Sequence, residues 1–402
     1  MKSFLTTAID GWREGWAGAA FLLLVTSLWL LVVGTIFVQS AADGPESGFP
    51  GPYAISHMKR ILLGLILMAT ITLVSPRKIE SFAALFFWGT IGVLLMMMAW
   101  KLAQGGVVRW IRFGGFGMQP SELAKISTIL FMAHLMRPSK ESEGLGALLK
   151  IIGIAALPFL LIAMQPDLGT ALVLVPTVAA MIWVSGISRR RFVVLVLLGT
   201  LVAGLATPLL HDYQKDRVLS YLGIGEVSRE TVGGYQVAQS IIAIGSGGPT
   251  GKGLYLGSHH DLGYLPEDHN DFIFAVIGEE WGLVGTVSVV LGFVVLIFAM
   301  LGVGWNCRDP FGRLVAVGIA AQIFFQAMVN QAMTVGLVPV TGIPLPFISY
   351  GGTSLCVSMA AVGIVIAIAR KPIEVVHPDG LKKGTSDVRS RTPRSRIAKI
   401  EA

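Results

Sequence analysis

The stretch Ala17 to Val38 reads AGAAFLLLVTSLWLLVVGTIFV and contains no charged side chain. At about 1.5 Å of rise per residue, a run of this length covers the roughly 30 Å of a bilayer's hydrocarbon core as one helix. Working outward, comparable runs fall near 59–76, 81–100, 147–164, 169–186, 190–210, 271–303, 311–338 and 349–369, with a shorter, more polar one from Ser121 to Met136. In lipid every backbone polar group must be satisfied within the segment, so such runs are read as helices. The sequence predicts an all-α polytopic integral membrane protein with about ten transmembrane helices.

Composition excludes the soluble alternative. The 402 residues are 53% hydrophobic and 14% charged, against about 25% charged in an ordinary soluble domain. The two cysteines, Cys307 and Cys356, each lie in or beside an apolar segment. They support neither a disulfide framework nor a thiolate metal site and are read as packing residues. Gly11 to Trp16 separates a short polar start from the first apolar run, without a signal peptide's layout, so the first helix is expected to stay in place.

Basic residues orient the helices. Arg77 with Lys78, Arg137 with Lys140, the run Arg189 to Arg191, and Arg308 with Arg313 mark every second connection as cytoplasmic. Both termini then face the cytoplasm. Residues 1–370 read as a single membrane domain, and 371–402 as a basic, irregular cytoplasmic tail suited to an anionic lipid surface. The outside connections are 39–58, 101–120, 165–168, a long one at 211–270 between the seventh and eighth helices, and 339–348. Loops as long as 211–270 are commonly functional, and its Gly and Pro content predicts irregular structure.

The outside carries an anomaly. Lys59, Arg60, Lys101, Arg109, Arg112, Lys125, Lys215, Arg217, Arg229 and Lys252 sit where basic residues are normally scarce. Each one alone could pair with an acid such as Asp212, Asp216 or Glu230. Together they point to an anionic ligand, because cations beside a low-dielectric wall focus potential and bind phosphate. Acids crowd the same boundary: Glu122, Asp167, Glu267, Asp268 and Asp271, with Glu279 and Glu280 deeper in the next helix. On an ideal helix Glu279 lies about 12 Å below Asp271 and Glu280 points away from both, so these carboxylates are not one cluster. Asp271 is either an N-terminal acid favoured by the helix dipole or a catalyst, and spacing does not choose between them.

Two apparent motifs fail. Gly245 to Gly253, GSGGPTGKG, looks like a phosphate-binding P-loop, but Ser246 stands where the first Gly is needed and Gly253 where Ser or Thr is needed. His259, His260, Asp261 and His269 match no standard zinc spacing.

Four strings carry a resemblance. They are Arg109 to Ile111 followed by Gln119 to Lys125 (QPSELAK); Gln165 to Thr170 (QPDLGT); Tyr264 to His269 with Asp271 to Phe274; and Pro339 to Ser354 (PVTGIPLPFISYGGTS). In content and order they resemble the SEDS family (shape, elongation, division and sporulation), the bacterial cell-wall polymerases. Val340 to Gly342 and the QPDLGT string are more similar to its elongation (RodA) branch than to its division (FtsW) branch. One departure is visible, since the family's usual His-Thr-Asp is here His269, Asn270, Asp271.

The resemblance implies a peptidoglycan glycosyltransferase that polymerises lipid II at the outer leaflet, with Asp271 matching the family's essential aspartate. Such a site must also stabilise a departing diphosphate, for which Arg, Lys or a divalent cation such as Mg or Mn is the usual means. Arg60, Arg109, Lys125 and Arg217 are the candidate cations. Glu122, Glu267 and His269 join them as candidate substrate contacts. Trp110 could stack on a sugar or anchor at the interface, and Asp167 could orient a cation or cap its helix. No metal site is assigned. The resemblance further implies a partner, a class B penicillin-binding transpeptidase, within an elongation machinery. A flippase for the same lipid is the rival reading, kept alive by Glu279, Glu280, Gln322, Gln326 and Asn330; a recruiting scaffold is the third.

Overall fold

The computed structural model describes residues 16–45, 47–104, 109–113, 116–137, 145–205, 232–257 and 269–370. Among them are eleven α-helices: α1 (Trp16–Val38), α2 (Pro52–Leu73), α3 (Pro76–Gln104), α4 (Pro120–Leu135), α5 (Leu145–Met164), α6 (Leu168–Val184), α7 (Arg189–Leu205), α8 (Val232–Gly247), α9 (Ile273–Asn306), α10 (Pro310–Thr334) and α11 (Gly352–Arg370). Each of the ten apolar runs overlaps one helix. Among the described residues seven helices are long and apolar enough to cross a membrane, and α6 is a shorter apolar one.

Three boundaries differ from the sequence reading, each for a local reason. The second helix begins at Pro52, because Pro suits the first helical position and the Asp43 carboxylate accepts from Tyr53 N (2.9 Å) and Ala54 N (2.8 Å). Arg60 is therefore a helix-interior residue. The last helix begins at Gly352, after a non-helical Pro339–Gly351 whose prolines at 339, 344 and 346 lack the N–H a helix needs. The connection 211–270 contains α8, which that reading left irregular. Its Val237, Ile241 and Ile244, spaced four and three apart, form a short stripe; Val237 and Ile244 pack on Phe272, Ala275, Met333 and Val340.

Helix α11 is apolar and buried all round its membrane-length window, which makes it the axis of the bundle. It packs chiefly against α2, while α9 packs against α1, α8 and α10. Among the described residues the main apolar core runs from Leu23 to Ala369, and the smaller cluster under α8 lies apart from it. Between α3 and α4 a two-stranded antiparallel hairpin, β1 (Ile111–Phe113) and β2 (Phe116–Met118), pairs Arg112 with Gly117.

Helix α9 breaks at Gly282 (φ 63°, ψ −153°), a conformation that glycine adopts without a Cβ penalty. The segment after α8 grips this break. Lys252 N and Gly253 N donate to the carbonyls of Glu279 and Glu280, each at 3.0 Å, and Leu283 N donates to Gly248 O at 2.9 Å. The string that imitated a P-loop is thus a backbone clamp on a helix kink.

Candidate functional site

Asp271 stands just before α9, in the turn that Phe272 closes. Its backbone carbonyl accepts from Asn330 Nδ2 at 2.9 Å, and the same amide donates to Ile343 O at 2.8 Å. One α10 side chain therefore joins the Asp271 turn to the PVTGIPLPFISYGG segment. From that segment Gly342 (φ +69°) approaches the carboxylate so closely that a Cβ there would lie 3.4 Å from Asp271 Oδ2. Tyr350 N donates to His269 O at 3.0 Å, closing the loop from the other side.

Tyr350 is the hub of a ring cluster. Its centroid lies 5.4 Å from Tyr53, 5.6 Å from His269 and 6.2 Å from His57, and the Arg60 guanidinium sits 4.1 Å over its face. Arg60 and His269 thus share one wall with Asp271. Tyr53 and His57 were absent from that grouping. The available signal was spacing, since His57 precedes Arg60 by one helical turn and shares its face.

The QPSELAK and QPDLGT strings meet behind this wall. Asp167 caps α6 by accepting from Thr170 N at 3.4 Å, and its other oxygen accepts from Gln119 Nε2 (2.8 Å) and Ser121 Oγ (3.0 Å). The cap alternative holds. Gln119 N donates to Thr353 Oγ1 at 3.0 Å, and Thr353 donates to Gly117 O at 2.9 Å, which fastens the start of α11 to the hairpin. A Cβ on Gly169 would come within 2.6 Å of Thr341 O, so α6 and the PVTG turn touch backbone to backbone.

Lys125 is wholly buried. Its ammonium donates to Glu122 Oε1 at 2.9 Å and to Gln326 Oε1 at 2.8 Å; Gln326 in turn donates to Pro344 O at 3.0 Å. The pair therefore braces the PLPF turn from the interior of the bundle. Arg109 is half-buried, donating from Nε to Gln165 O at 3.1 Å and from Nη2 to Pro166 O. Those carbonyls begin the QPDLGT turn, so part of the guanidinium's hydrogen-bonding capacity serves the scaffold. Trp110 is 46% exposed and lies across Gly117. Arg217 and Glu267 lie outside the described residues.

Deeper polar groups have local partners. Lys252 donates to Glu279 Oε1 at 2.5 Å, and Ser40 Oγ to Glu280 Oε1 at 2.6 Å. Burial, then the charges of Glu280 and Asp43, hold the Tyr255 hydroxyl above its usual pKa. Of the residues that sustained the transporter reading, Glu279, Glu280, Gln326 and Asn330 bond to neighbouring segments, while Gln322 is buried in α10 with its Oε1 unpartnered.

Known proteins resemble this chain over most of its length. Peptidoglycan glycosyltransferase MrdB of Escherichia coli is 36% identical over 353 residues, covering 86% of this chain and 92% of that protein. A probable peptidoglycan glycosyltransferase FtsW of Geobacter metallireducens is 34% identical over 366 residues (87% and 94%), and stage V sporulation protein E of Bacillus subtilis 34% over 364 (87% and 96%). Among solved structures, a chain from a peptidoglycan synthase complex superposes with a TM-score of 0.72 at 26% identity, covering 87% of this chain and 96% of that one. The rod shape determining protein RodA of Thermus thermophilus gives a TM-score of 0.64 at 25% identity, again covering 87% and 96%. Residues 19–373 match the cell cycle protein family of FtsW, RodA and SpoVE, and the chain belongs to that family.

Proposed function

We propose that this chain is a peptidoglycan glycosyltransferase that polymerises lipid II, with Asp271 as general base. The observation that carries the reading is the joining of the PVTGIPLPFISYGG segment to the Asp271 turn through Asn330, Gly342 and Tyr350, with the QPSELAK and QPDLGT strings bonded to each other behind it. Asp271 takes the proton from the 4-hydroxyl of the acceptor GlcNAc. That oxygen forms a bond to the donor's anomeric carbon, and the bond from that carbon to the diphosphate breaks, its electron pair leaving with undecaprenyl diphosphate. Attack opposite the leaving group inverts an α-linked diphosphate to a β-1,4 glycan.

The carboxylate is needed because a sugar hydroxyl is a poor nucleophile, and a positioned base contributes about 10² to 10⁴ in rate. Arg60, over the Tyr350 ring, is the described candidate for the diphosphate's negative charge. Arg109, Asp167 and the buried Glu122–Lys125 pair act chiefly by bracing the turns behind the Asp271 wall, and the exposed Trp110 is a candidate for stacking on a sugar. Arg217 and Glu267 are further candidates for substrate contact. If a divalent cation assists, it would share the charge of the departing diphosphate.

The chain is a polytopic bacterial membrane protein. We assign residues 1–370 to one membrane domain with both termini cytoplasmic and the Asp271 turn outside; 371–402 is a basic cytoplasmic tail. The PVTG string supports a role in elongation, with a class B penicillin-binding protein as the crosslinking partner.

Polymerisation of lipid II by the purified protein tests the reading. Asp271→Asn should lower glycan formation by about 10² or more, with the unfolding temperature unchanged. Full activity in that variant would remove Asp271 from catalysis. Restoration of rod shape, not septation, in cells lacking their own elongation polymerase tests the elongation role.

A further inference from the structure

His57 is the described group in the Asp271 wall for which the fold has no internal use. It lies in α2 with no exposed surface, and neither Nδ1 nor Nε2 has a hydrogen-bond partner. Leaving a buried polar group unsatisfied is costly, and native folds leave few such groups without a reason. An apolar side chain at this position would fill the same space without that cost.

The surroundings indicate what the imidazole would meet. Arg60 follows one turn later on the same helix face, and both side chains touch Tyr350, His57 as a stacked ring and Arg60 over the face. Whatever its tautomer, an imidazole has an N–H to donate, and beside a guanidinium its natural acceptor is an anion. A diphosphate presents several acceptor oxygens spread over two phosphorus centres, enough to engage two donors a helical turn apart. A single hydroxyl or amide of a sugar or peptide offers no such spread.

We propose that His57 is a second donor to the diphosphate of the lipid-linked substrate, acting with Arg60, and that the Tyr350 ring covers it until that anion arrives. An anion that draws the guanidinium off the Tyr350 face removes one contact holding the ring against the imidazole. His57 then gains the acceptor that the protein itself does not supply. The proposal rests on the glycosyltransferase reading for the identity of its ligand, and on the orphaned imidazole for its location.

The test measures binding and stability together. Undecaprenyl diphosphate, undecaprenyl alcohol and inorganic pyrophosphate are titrated against the purified full-length protein in detergent, for wild type, His57→Leu and His57→Gln. A hydrogen bond to a charged group corresponds to roughly 10- to 100-fold in affinity, so His57→Leu should weaken diphosphate-lipid binding by that factor. Binding of the alcohol should not change. His57→Gln, which keeps an N–H donor, should recover most of the affinity. In lipid II polymerisation the loss should appear in KM more than in kcat.

The unfolding temperature of unliganded His57→Leu should equal or exceed that of wild type, because an unsatisfied polar group has been removed. A variant that unfolds more easily, or that binds the diphosphate lipid as wild type does, would overturn the proposal. An equal loss with free pyrophosphate would place His57 on the headgroup alone; loss only with the lipid form would place it at the headgroup–lipid junction. If wild type fails to polymerise lipid II, the glycosyltransferase reading falls, while the binding comparison still decides His57.

Discussion

Asn330 and Asp271 are joined by a hydrogen bond from Nδ2 to the aspartate's backbone carbonyl, 2.9 Å long, and the same amide nitrogen reaches Ile343 O at 2.8 Å. The amide holds the backbone of Asp271 through its carbonyl. Asn330→Ala removes both donors from buried carbonyls, each worth about 1–3 kcal/mol when left unsatisfied. A base misplaced by about 1 Å can cost 10²-fold in rate. The variant should therefore polymerise lipid II at least tenfold more slowly, with a smaller proportional loss in substrate affinity. Asn330→Asp should fare no better, because a carboxylate turned toward two carbonyls supplies no donor. Wild-type turnover in Asn330→Ala would show that the turn is held by its other contacts alone.

Lys125 and Glu122 make the second prediction. Both are buried, at 0% and 2% exposure, so removing one partner strands a charge inside the bundle. Breaking a buried pair in this way costs about 3–5 kcal/mol, whereas replacing both partners with apolar groups of similar size is often neutral. Lys125→Met and Glu122→Gln should each lower the unfolding temperature in detergent, and Glu122→Leu with Lys125→Met should recover most of that stability. The double variant separates bracing from substrate contact. If Lys125 acts only through Gln326 and the Pro344 turn, it should regain part of its activity along with its stability; persistent inactivity in a stable protein would make Lys125 a direct contact.

The helices were legible because lipid leaves an apolar run of twenty residues few other conformations. Helix α8 was not, since the stripe of Val237, Ile241 and Ile244 is too short to register alone, and Phe272, Ala275, Met333 and Val340, which Val237 and Ile244 pack on, lie outside the helix. The start of α2 was hidden because it is set by a proline and the Asp43 carboxylate, not by hydropathy. At the site, matched strings identified Asp271, Lys125 and Asp167, but not their depths or partners. Lys125 meets Gln326 across 201 residues of sequence, and no local pattern encodes that contact. His57 went unnoticed because it fell in the connection 39–58, and its spacing from Arg60 matters only once the helix is seen to begin at Pro52.

The clamp on α9 yields a third prediction. Gly251 has φ +82°, and a Cβ there would sit 2.1 Å from Glu280 O, a backbone atom that cannot swing away. Gly251→Ala must shift the clamp or the kink. It should lower stability by more than the roughly 1–2 kcal/mol a left-handed conformation costs a non-glycine residue, and it should disturb the Lys252–Glu279 contact. Gly153 is the control, with open space around its Cβ position inside α5. Gly153→Ala should be neutral or stabilising by up to about 1 kcal/mol. Equal unfolding temperatures for the two variants would mean that the clamp yields without cost.

Cys307, between α9 and α10, provides a prediction in pH. Burial raises the thiol's pKa above its ordinary 9.0, and the Asp309 carboxylate adds to this, against a hydrogen bond to the Asp309 backbone and the charge of Arg313. Only the thiolate reacts with maleimides. In a Cys356→Ala background, Cys307 should therefore label much more slowly at pH 7.5 than an exposed cysteine, and the rate should keep rising beyond pH 9. The consequence for stability has a definite sign. Below the ordinary thiol pKa both folded and unfolded chains keep the proton, and the group has no effect. Above it the unfolded chain loses the proton first, so stability falls as pH rises through the window up to the raised folded value. Cys307→Ala should remove that part of the alkaline decline and leave the profile below pH 8 unchanged; an unaltered alkaline limb would show that Cys307 is not shielded as its surroundings require.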